Sequence, residues 1–154
     1  MSLRMATRVA DSVWQHANAT HPLTACGLLI GRTTERGLWV ERTLRCVNLV
    51  PSEAKVGTFE IDPRVMVNVT RSLGSSPNRI VGFYRSGGEP LAQPAAGDLA
   101  LLEAWPDAVL VIQGERMLDG GGLRAWGRSG GKQVMELEIA VVEPPRARLL
   151  VCPE

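Results

Sequence analysis

Side chains that could bind or transform a ligand are concentrated in one stretch, between the apolar segments 79–84 and 108–112. This stretch reads as a strand, a loop containing glycine and proline, a short helix and a second strand. Charged and hydroxyl groups on a loop held between buried elements are typical of a binding or catalytic site. The candidates are Arg85, Ser86, Gly87, Gly88, Glu89 and Asp98.

The same stretch resembles the signature of the JAMM (JAB/MPN) metallopeptidase family. In that family a strand leads into a His-Ser-His-Pro turn, and Ser-x-x-Asp begins the following helix. The resemblance implies that both histidines and the aspartate bind zinc in active relatives. In this chain Arg85 and Gly87 stand at the histidine positions, Ala95 replaces the helix serine, and Asp98 is retained. Ser86 matches the serine between the two histidines.

A second segment, residues 22–31, is similar to the family pattern Pro-x-Glu-x-Cys-Gly-Leu-Leu-x-Gly. Thr24 occupies the position of the glutamate, which in active relatives handles the zinc-bound water. A threonine hydroxyl lacks the basicity needed for that role. Cys26 lies in an apolar run with no neighbouring base, so we interpret it as a structural thiol. The resemblance extends over about residues 5–142 and includes Asn48, Pro51, Phe59, Asp62 and Pro63.

These replacements decide the functional hypothesis. A catalytic zinc needs three protein ligands and an open position, and only Asp98 remains. His16 and His21 are the only histidines of the chain, and neither falls in the loop; His16 is interpreted as a surface residue of the first helix. The resemblance therefore implies a metal-free pseudoenzyme without a cofactor, although active relatives carry zinc.

Inactive members of the family usually serve as binding or structural subunits. We expect a protein or peptide partner, for example another MPN domain or a ubiquitin-like tail. Such a tail could add to a sheet edge through backbone hydrogen bonds, which require no metal. The predicted binding residues are Ser86, Gly88, Glu89 and Asp98.

Two alternatives remain open. The first is a metal-dependent isopeptidase or peptidase with a residual or remodelled site, for which Asp98 and Ser86 are the support. A serine without a nearby base is a poor nucleophile, and the metal content of the protein would decide between the two. The second is a self-associating domain without a ligand, which a measurement of mass in solution addresses.

Loss of a metal leaves the Asp98 carboxylate without its cation. An unpaired, partly buried carboxylate is costly and either gains a proton or acquires a new cation. Arg85 lies at the end of the preceding strand, and its guanidinium matches a carboxylate with two parallel hydrogen bonds. We therefore predict that Arg85 pairs with Asp98 across the former metal site.

Length and composition limit the number of domains and the classes of partner that this chain can have. A chain of 154 residues with 45% hydrophobic content suits one domain, 1–154, with a substantial core. A formal net charge of +1 does not favour nucleic acid or an anionic membrane, and no apolar run is long enough to span a bilayer. Three cysteines without close pairing predict a reducing cytoplasm. Four tryptophans favour apolar surface left for a twofold homodimer.

Periodicity predicts the elements that position the candidate site. Apolar residues at helical spacing predict helices over Met5–Ala19 and Pro63–Leu73, with Asp62 as N-cap, and a third beginning at Asp98. Together with the resemblance they predict an α/β fold, an αβα MPN (cytidine deaminase-like) arrangement with helices flanking a curved, mixed, mostly antiparallel sheet. The predicted strands are Ala25–Arg32, Leu38–Asn48, Arg79–Tyr84, Ala108–Gly114, Leu123–Arg128, Gln133–Val142 and an edge strand over Arg148–Cys152.

Overall fold

The structure, a computed structural model, describes residues 2–54, 57–87, 92–114, 122–129 and 133–143. These residues form seven strands and three helices. In chain order the elements are β1 (Ser2–Ala6), α1 (Thr7–Thr20), β2 (Cys26–Thr34), β3 (Gly37–Cys46), α2 (Pro63–Leu73), β4 (Arg79–Ser86), α3 (Ala96–Ala104), β5 (Val109–Gln113), β6 (Leu123–Ser129) and β7 (Gln133–Val142).

Local sequence signals explain several of these boundaries. The Asp62 carboxylate accepts a hydrogen bond from the Arg64 N–H, and Pro63 occupies the first turn, so α2 begins where predicted. Gly74, with φ of 50°, ends it in a conformation that favours glycine. The prediction for β7 is also confirmed, whereas the predicted edge strand over Arg148–Cys152 lies outside the described residues.

The predicted first helix is wrong at its start, because residues 2–6 form a strand. Leu3 and Met5 are completely buried and alternate with the partly exposed Ser2 and Arg4, as the pleat of a strand requires. Met5 also lies at helical spacing from the apolar stripe of α1, and the periodicity therefore wrongly included it in the predicted helix. The alternation in residues 2–5 was the signal that could have revealed β1.

The predicted αβα sandwich is also wrong, because the strands form a closed barrel in the order β1-β3-β2-β4-β5-β6-β7. β1 pairs in parallel with β3 through Leu3↔Leu38 and with β7 through Leu3↔Ile139. This single strand joins the two sides of what would otherwise be an open, curved sheet. Closure gives every described strand a neighbour on both sides over at least part of its length. The β1–β3 contact covers only Leu38–Val40, so residues 41–46 of β3 pair on one side, with β2.

Two cores lie on opposite faces of the strands. The inner core combines α1 with residues from all seven strands, including Leu29 and Val111. The outer core packs α2 and α3 over the alternate residues of β2, β4 and β5, including Phe83 and Leu110. The apolar stripe of α2 is only half-buried against this core. None of the described helices, the longest of which has 14 residues, has the length and apolar character needed to cross a membrane.

Candidate functional site

The candidate site lies where β4 ends beside the beginnings of β2 and α3. β4 extends through Ser86, so Arg85 is a strand residue, and it lies between Cys26 of β2 and Ile112 of β5. Its side chain shares the outer face with Phe83 and points towards α3. The parallel β4–β5 pair is linked by the crossover that contains α3, and this connection brings Asp98 to the end of β4.

Arg85 and Asp98 form a buried ion pair, as predicted. Nη2 of Arg85 lies 2.6 Å from Oδ2 of Asp98, and Nε lies 2.9 Å from Oδ1. The side chains are only 5% and 3% exposed. The paired N–H groups therefore meet both carboxylate oxygens in a two-pronged arrangement shielded from water.

Backbone groups complete the surroundings of the pair. Nη2 of Arg85 also donates to the Gln93 carbonyl at 3.4 Å, and Nη1 donates to the Ser86 carbonyl at 3.3 Å. Gly57 lies against the guanidinium: a Cβ added there would be 3.0 Å from Nη1, and its φ of 90° favours glycine. Sequence reasoning missed both Gly57 and Gln93, because both act here through backbone groups and not through a side chain.

The sequence predicts that α3 begins at Asp98, but the helix begins at Ala96 and Asp98 is its third residue. Its Oδ2 accepts a hydrogen bond from the Ala95 N–H at 2.8 Å, so the carboxylate also holds the beginning of the helix. A negative charge in the first turn is further stabilised by the helix dipole. Ala95 itself contributes its backbone N–H to this site and no side-chain function.

Thr24, at the position of the family's glutamate, is buried beside the pair. Its Oγ1 accepts a hydrogen bond from the Gly57 N–H at 2.8 Å. Since Gly57 also contacts the guanidinium, Thr24 and Arg85 are connected through this one residue. The threonine thus serves to position the 57–58 segment over the ion pair.

The remaining predicted site residues have structural contacts. Oγ of Ser86 accepts from the Ala25 N–H at 2.8 Å, so this hydroxyl fastens β4 to the start of β2. Gly87 donates its N–H to the Gln113 carbonyl at 2.6 Å, and a Cβ added at Gly87 would lie 2.6 Å from that same oxygen. Gly88 and Glu89 lie outside the described residues.

The residues at this site do not fit a zinc ion. Zinc in proteins takes histidine, cysteine and carboxylate ligands in a tetrahedral set, and no cluster of three such residues occurs in the described parts of the chain. Both oxygens of Asp98 already accept N–H groups from Arg85 and Ala95. A permanently charged guanidinium therefore stands beside the carboxylate, where a dication would have to bind.

Two thiols flank this site without being activated. Cys26 lies directly across from Cys46 in the β2–β3 ladder. Burial, and then the neighbouring Cys46, raises the pKa of Cys26 to about 12, and burial raises that of Cys46. A protonated thiol is a weak nucleophile, so these values agree with the interpretation of Cys26 as a structural residue.

His16 is buried, which corrects its interpretation as a surface residue of the helix. The side chain is 9% exposed, and Nδ1 lies 2.6 Å from the Tyr84 hydroxyl on β4. Burial, and then the charge of Arg45, lowers the pKa of His16. Sequence reasoning missed this contact because the two residues are 68 positions apart.

A groove adjoins the ion pair on the outer side of the sheet. Its volume is about 380 Å³, and it lies between the 58–61 segment and α3. Phe83 contributes to its lining, and Gly97 borders it with open space where a side chain would project. Its size lies in the range of small-ligand and side-chain pockets.

Comparisons with known proteins agree with this architecture. Residues 6–129 match the sequence model of a family described as prokaryotic homologs of the JAB domain. A desampylase of Haloferax volcanii is 30% identical over 114 residues, which cover 71% of this chain and 78% of that protein.

Solved structures extend the similarity to nearly the whole chain. A protein of Desulfitobacterium hafniense matches with a TM-score of 0.74 and 26% identity over 95% of this chain and 97% of its own. A protein of Salinibacter ruber has a TM-score of 0.62 at 23% identity, with 94% and 93% of the two chains covered, and shows the fold alone. With a family match that spans most of the barrel and all three helices, the chain belongs to the family of prokaryotic JAB-domain homologues.

Proposed function

We propose that this protein is a metal-free JAB-domain member that binds a protein or peptide instead of cleaving it. The buried Arg85–Asp98 pair carries this proposal, because it occupies both oxygens of the one retained ligand. Thr24 at the base position and Ala95 at the serine position support it further. The two described thiols are free, which supports a reducing compartment such as the cytoplasm.

The groove between the 58–61 segment and α3 is the proposed binding surface for an extended peptide. This groove presents apolar walls beside the ion pair. A ubiquitin-like tail or a loop of another MPN domain would suit such a surface. Asp98 and Ser86 would then act by holding the groove in shape, and binding by Gly88 and Glu89 stays a prediction from the sequence.

The alternative is a metal-dependent hydrolase with a remodelled site, and the desampylase relative is the observation that favours it. Elemental analysis of protein purified from zinc-supplemented medium separates the two functions. We expect far less than one zinc per chain and no chelator-sensitive peptidase activity. About one zinc per chain, with activity lost on chelation, would instead establish the hydrolase.

Peptide binding is tested by selecting displayed linear peptides on the purified protein. Gly97→Leu places a side chain in the groove, where nothing lies within 4 Å of the added Cβ, so the fold should tolerate it. Selected peptides should bind this variant at least about tenfold more weakly, a loss of about 1.4 kcal/mol. Asn68→Leu, on the exposed side of α2, is the control and should keep full affinity. Equal affinities for all three proteins would refute the groove as the binding surface.

A further inference from the structure

A second cavity, of about 390 Å³, lies on the other side of the 47–58 segment. The end of α1 and residues 22–25 form its opposite wall. Thr24 and Thr58 border this cavity, but none of its lining residues belongs to α3 or contacts the ion pair directly. It therefore differs from the groove to which the peptide-binding proposal refers.

Asn48 holds the walls of this cavity in place. Its Nδ2 donates to the Thr24 carbonyl at 3.2 Å and to the Thr58 carbonyl at 3.1 Å. Its Oδ1 accepts from the N–H groups of Val50 and Glu60, both at 3.1 Å. Four hydrogen bonds from one amide connect the two ends of the 48–60 segment to the chain before β2. The cavity is thus formed before any ligand arrives, which lowers the entropic cost of binding.

His16 presents a hydrogen-bond donor to this cavity. Burial raises the pKa of Tyr84, so its phenol keeps its proton, and the only partner of that hydroxyl in the described chain is Nδ1 of His16. The phenol therefore donates to Nδ1, and in the neutral imidazole the ring proton lies on Nε2. Among the described residues no hydrogen bond to Nε2 occurs, and no buried side-chain nitrogen or oxygen lacks a partner. Nε2 therefore keeps some exposure, and His16 lines the cavity.

The remaining chemistry of the cavity favours a carboxylate. No aspartate or glutamate occurs among its described lining residues. Oγ1 of Thr24 accepts from Gly57, which leaves the hydroxyl proton of Thr24 free to be donated. Gly27 of β2 pairs with Arg45 on one side and with Tyr84 on the other, so these two residues lie on the same face of the sheet. The positive charge of Arg45 therefore acts near His16, whose pKa it helps to lower. Aliphatic side chains, including Leu23 and Val47, form the apolar part of the lining.

We propose that this cavity binds a small monocarboxylate with a branched aliphatic chain. The carboxylate accepts hydrogen bonds from Nε2 of His16 and the Thr24 hydroxyl, and the aliphatic chain packs against Leu23 and Val47. The same chemistry occurs in a free short-chain acid and in the C-terminal residue of a peptide. This site goes beyond the proposed function, since it lies outside the peptide groove and does not depend on it.

Calorimetric titration with N-acetyl-leucine and with N-acetyl-leucinamide tests the proposal at pH 7.5. The two probes share a shape and differ in charge, and we expect the acid to bind at least about tenfold more tightly. 4-Methylpentanoate, which lacks the amide, distinguishes the sources: comparable binding indicates a free acid, and much weaker binding indicates a peptide terminus. Equal affinity for acid and amide, or no binding of either acid at millimolar concentration, would overturn the proposal.

Variants locate the site. His16→Gln should weaken binding of the acid by about tenfold, whereas His21→Gln, which changes the other, exposed histidine, should leave it unchanged. If His16→Gln does not fold, Arg45→Gln provides the test at an exposed position, with weaker binding of the acid and unchanged binding of the amide. Unchanged affinity of the acid in a folded His16→Gln or Arg45→Gln variant would contradict the assignment. Loss of peptide binding in Gly97→Leu would leave this site intact, so the two proposals can fail separately.

Discussion

The guanidinium of Arg85 balances the buried charge of the Asp98 carboxylate. Two opposite charges removed from water lose hydration, and their attraction and hydrogen bonds offset most of that loss. Asp98 recovers three short hydrogen bonds from side-chain and backbone N–H groups. The pair therefore adds little net stability, but either partner left alone would be a buried, uncompensated charge.

Arg85→Ala should destabilise the protein by about 3 kcal/mol or more, because it leaves the Asp98 carboxylate buried without its cation. Arg85→Ala combined with Asp98→Asn should cost less, since no unpaired charge remains. Urea denaturation of the wild type, both single variants and the double variant measures this coupling. Additive effects of the two substitutions would contradict the role of the pair.

The exposed Arg64–Asp62 pair provides the control for this cycle. Its arginine side chain is 88% exposed, and the ion pair is screened by water. Arg64→Ala keeps the backbone N–H that Asp62 caps. The urea denaturation midpoint of Arg64→Ala should therefore match that of the wild type.

Buried His16 predicts a dependence of stability on pH. Its pKa in the folded protein is lowered by burial and by Arg45, relative to about 6.5 in the unfolded chain. Below that value the unfolded chain binds a proton that the folded protein refuses, so stability should fall as the pH decreases below about 6.5. His16→Gln should flatten this decline in denaturation curves, whereas the exposed His21→Gln should retain it. The same slope in both variants would exclude His16 as its source.

At the scale of elements, the ends of β4 and β5 determine what the candidate site can accommodate. The Gly87 N–H bonds to the Gln113 carbonyl, and this close contact leaves no space for a Cβ. A histidine at position 87 would therefore require the backbone to move. Restoring the family's residues by substitution alone would not rebuild its metal site.

Gly87→Ala should destabilise the protein by about 1–3 kcal/mol, as overpacked positions do. Gly97→Ala provides the matched control in α3, since nothing lies within 4 Å of its added Cβ. Alanine is also the better helix former, so this variant should be as stable as the wild type or up to about 1 kcal/mol more stable. Thermal and urea denaturation of both variants measure the difference, and an equal loss in both would contradict the steric argument.

At the scale of the whole molecule, the five residues of β1 close the barrel. Leu3 and Met5 are completely buried in the inner core. β1 pairs with β3 and β7, which are separated by most of the chain. Closure removes two open strand edges that would otherwise be available for aggregation.

Leu3→Ala or Met5→Ala should therefore cost about 2–5 kcal/mol each, although both residues lie next to the N-terminus. Arg4→Ala, on the opposite side of the same strand, should change stability by about 0.5 kcal/mol or less. Chemical denaturation provides the comparison. A loss at Leu3 no larger than that at Arg4 would mean that β1 does not contribute to the core.

Self-association into a twofold dimer stays a prediction of the amino-acid composition. Several large apolar side chains are exposed, including Val47 at 77% and Val67 at 55%. Light scattering at about 100 µM should then give twice the chain mass of 16.7 kDa, since ordinary interfaces have micromolar or tighter dissociation constants. A monomeric mass would contradict the prediction.

Contacts between elements that are adjacent in the chain could be predicted from sequence. Arg85 and Asp98 are 13 residues apart on consecutive elements, and electrostatics requires a partner for the carboxylate. The bounds of α2 and β7 also follow from local capping and alternation. The assignment of the family rested on short motifs whose spacing is visible in the linear chain.

The sequence by itself thus determined the family, most helices and strands, and the ion pair. Only the tertiary structure decided that the sheet closes, because β1 pairs with strands far away in sequence and local periodicity carries no information on partners. It also decided the role of His16, since a contact with Tyr84 across 68 residues depends on how α1 packs against β4. Short-range chemistry can be read along the chain, whereas burial and long-range pairing arise only when the elements pack together.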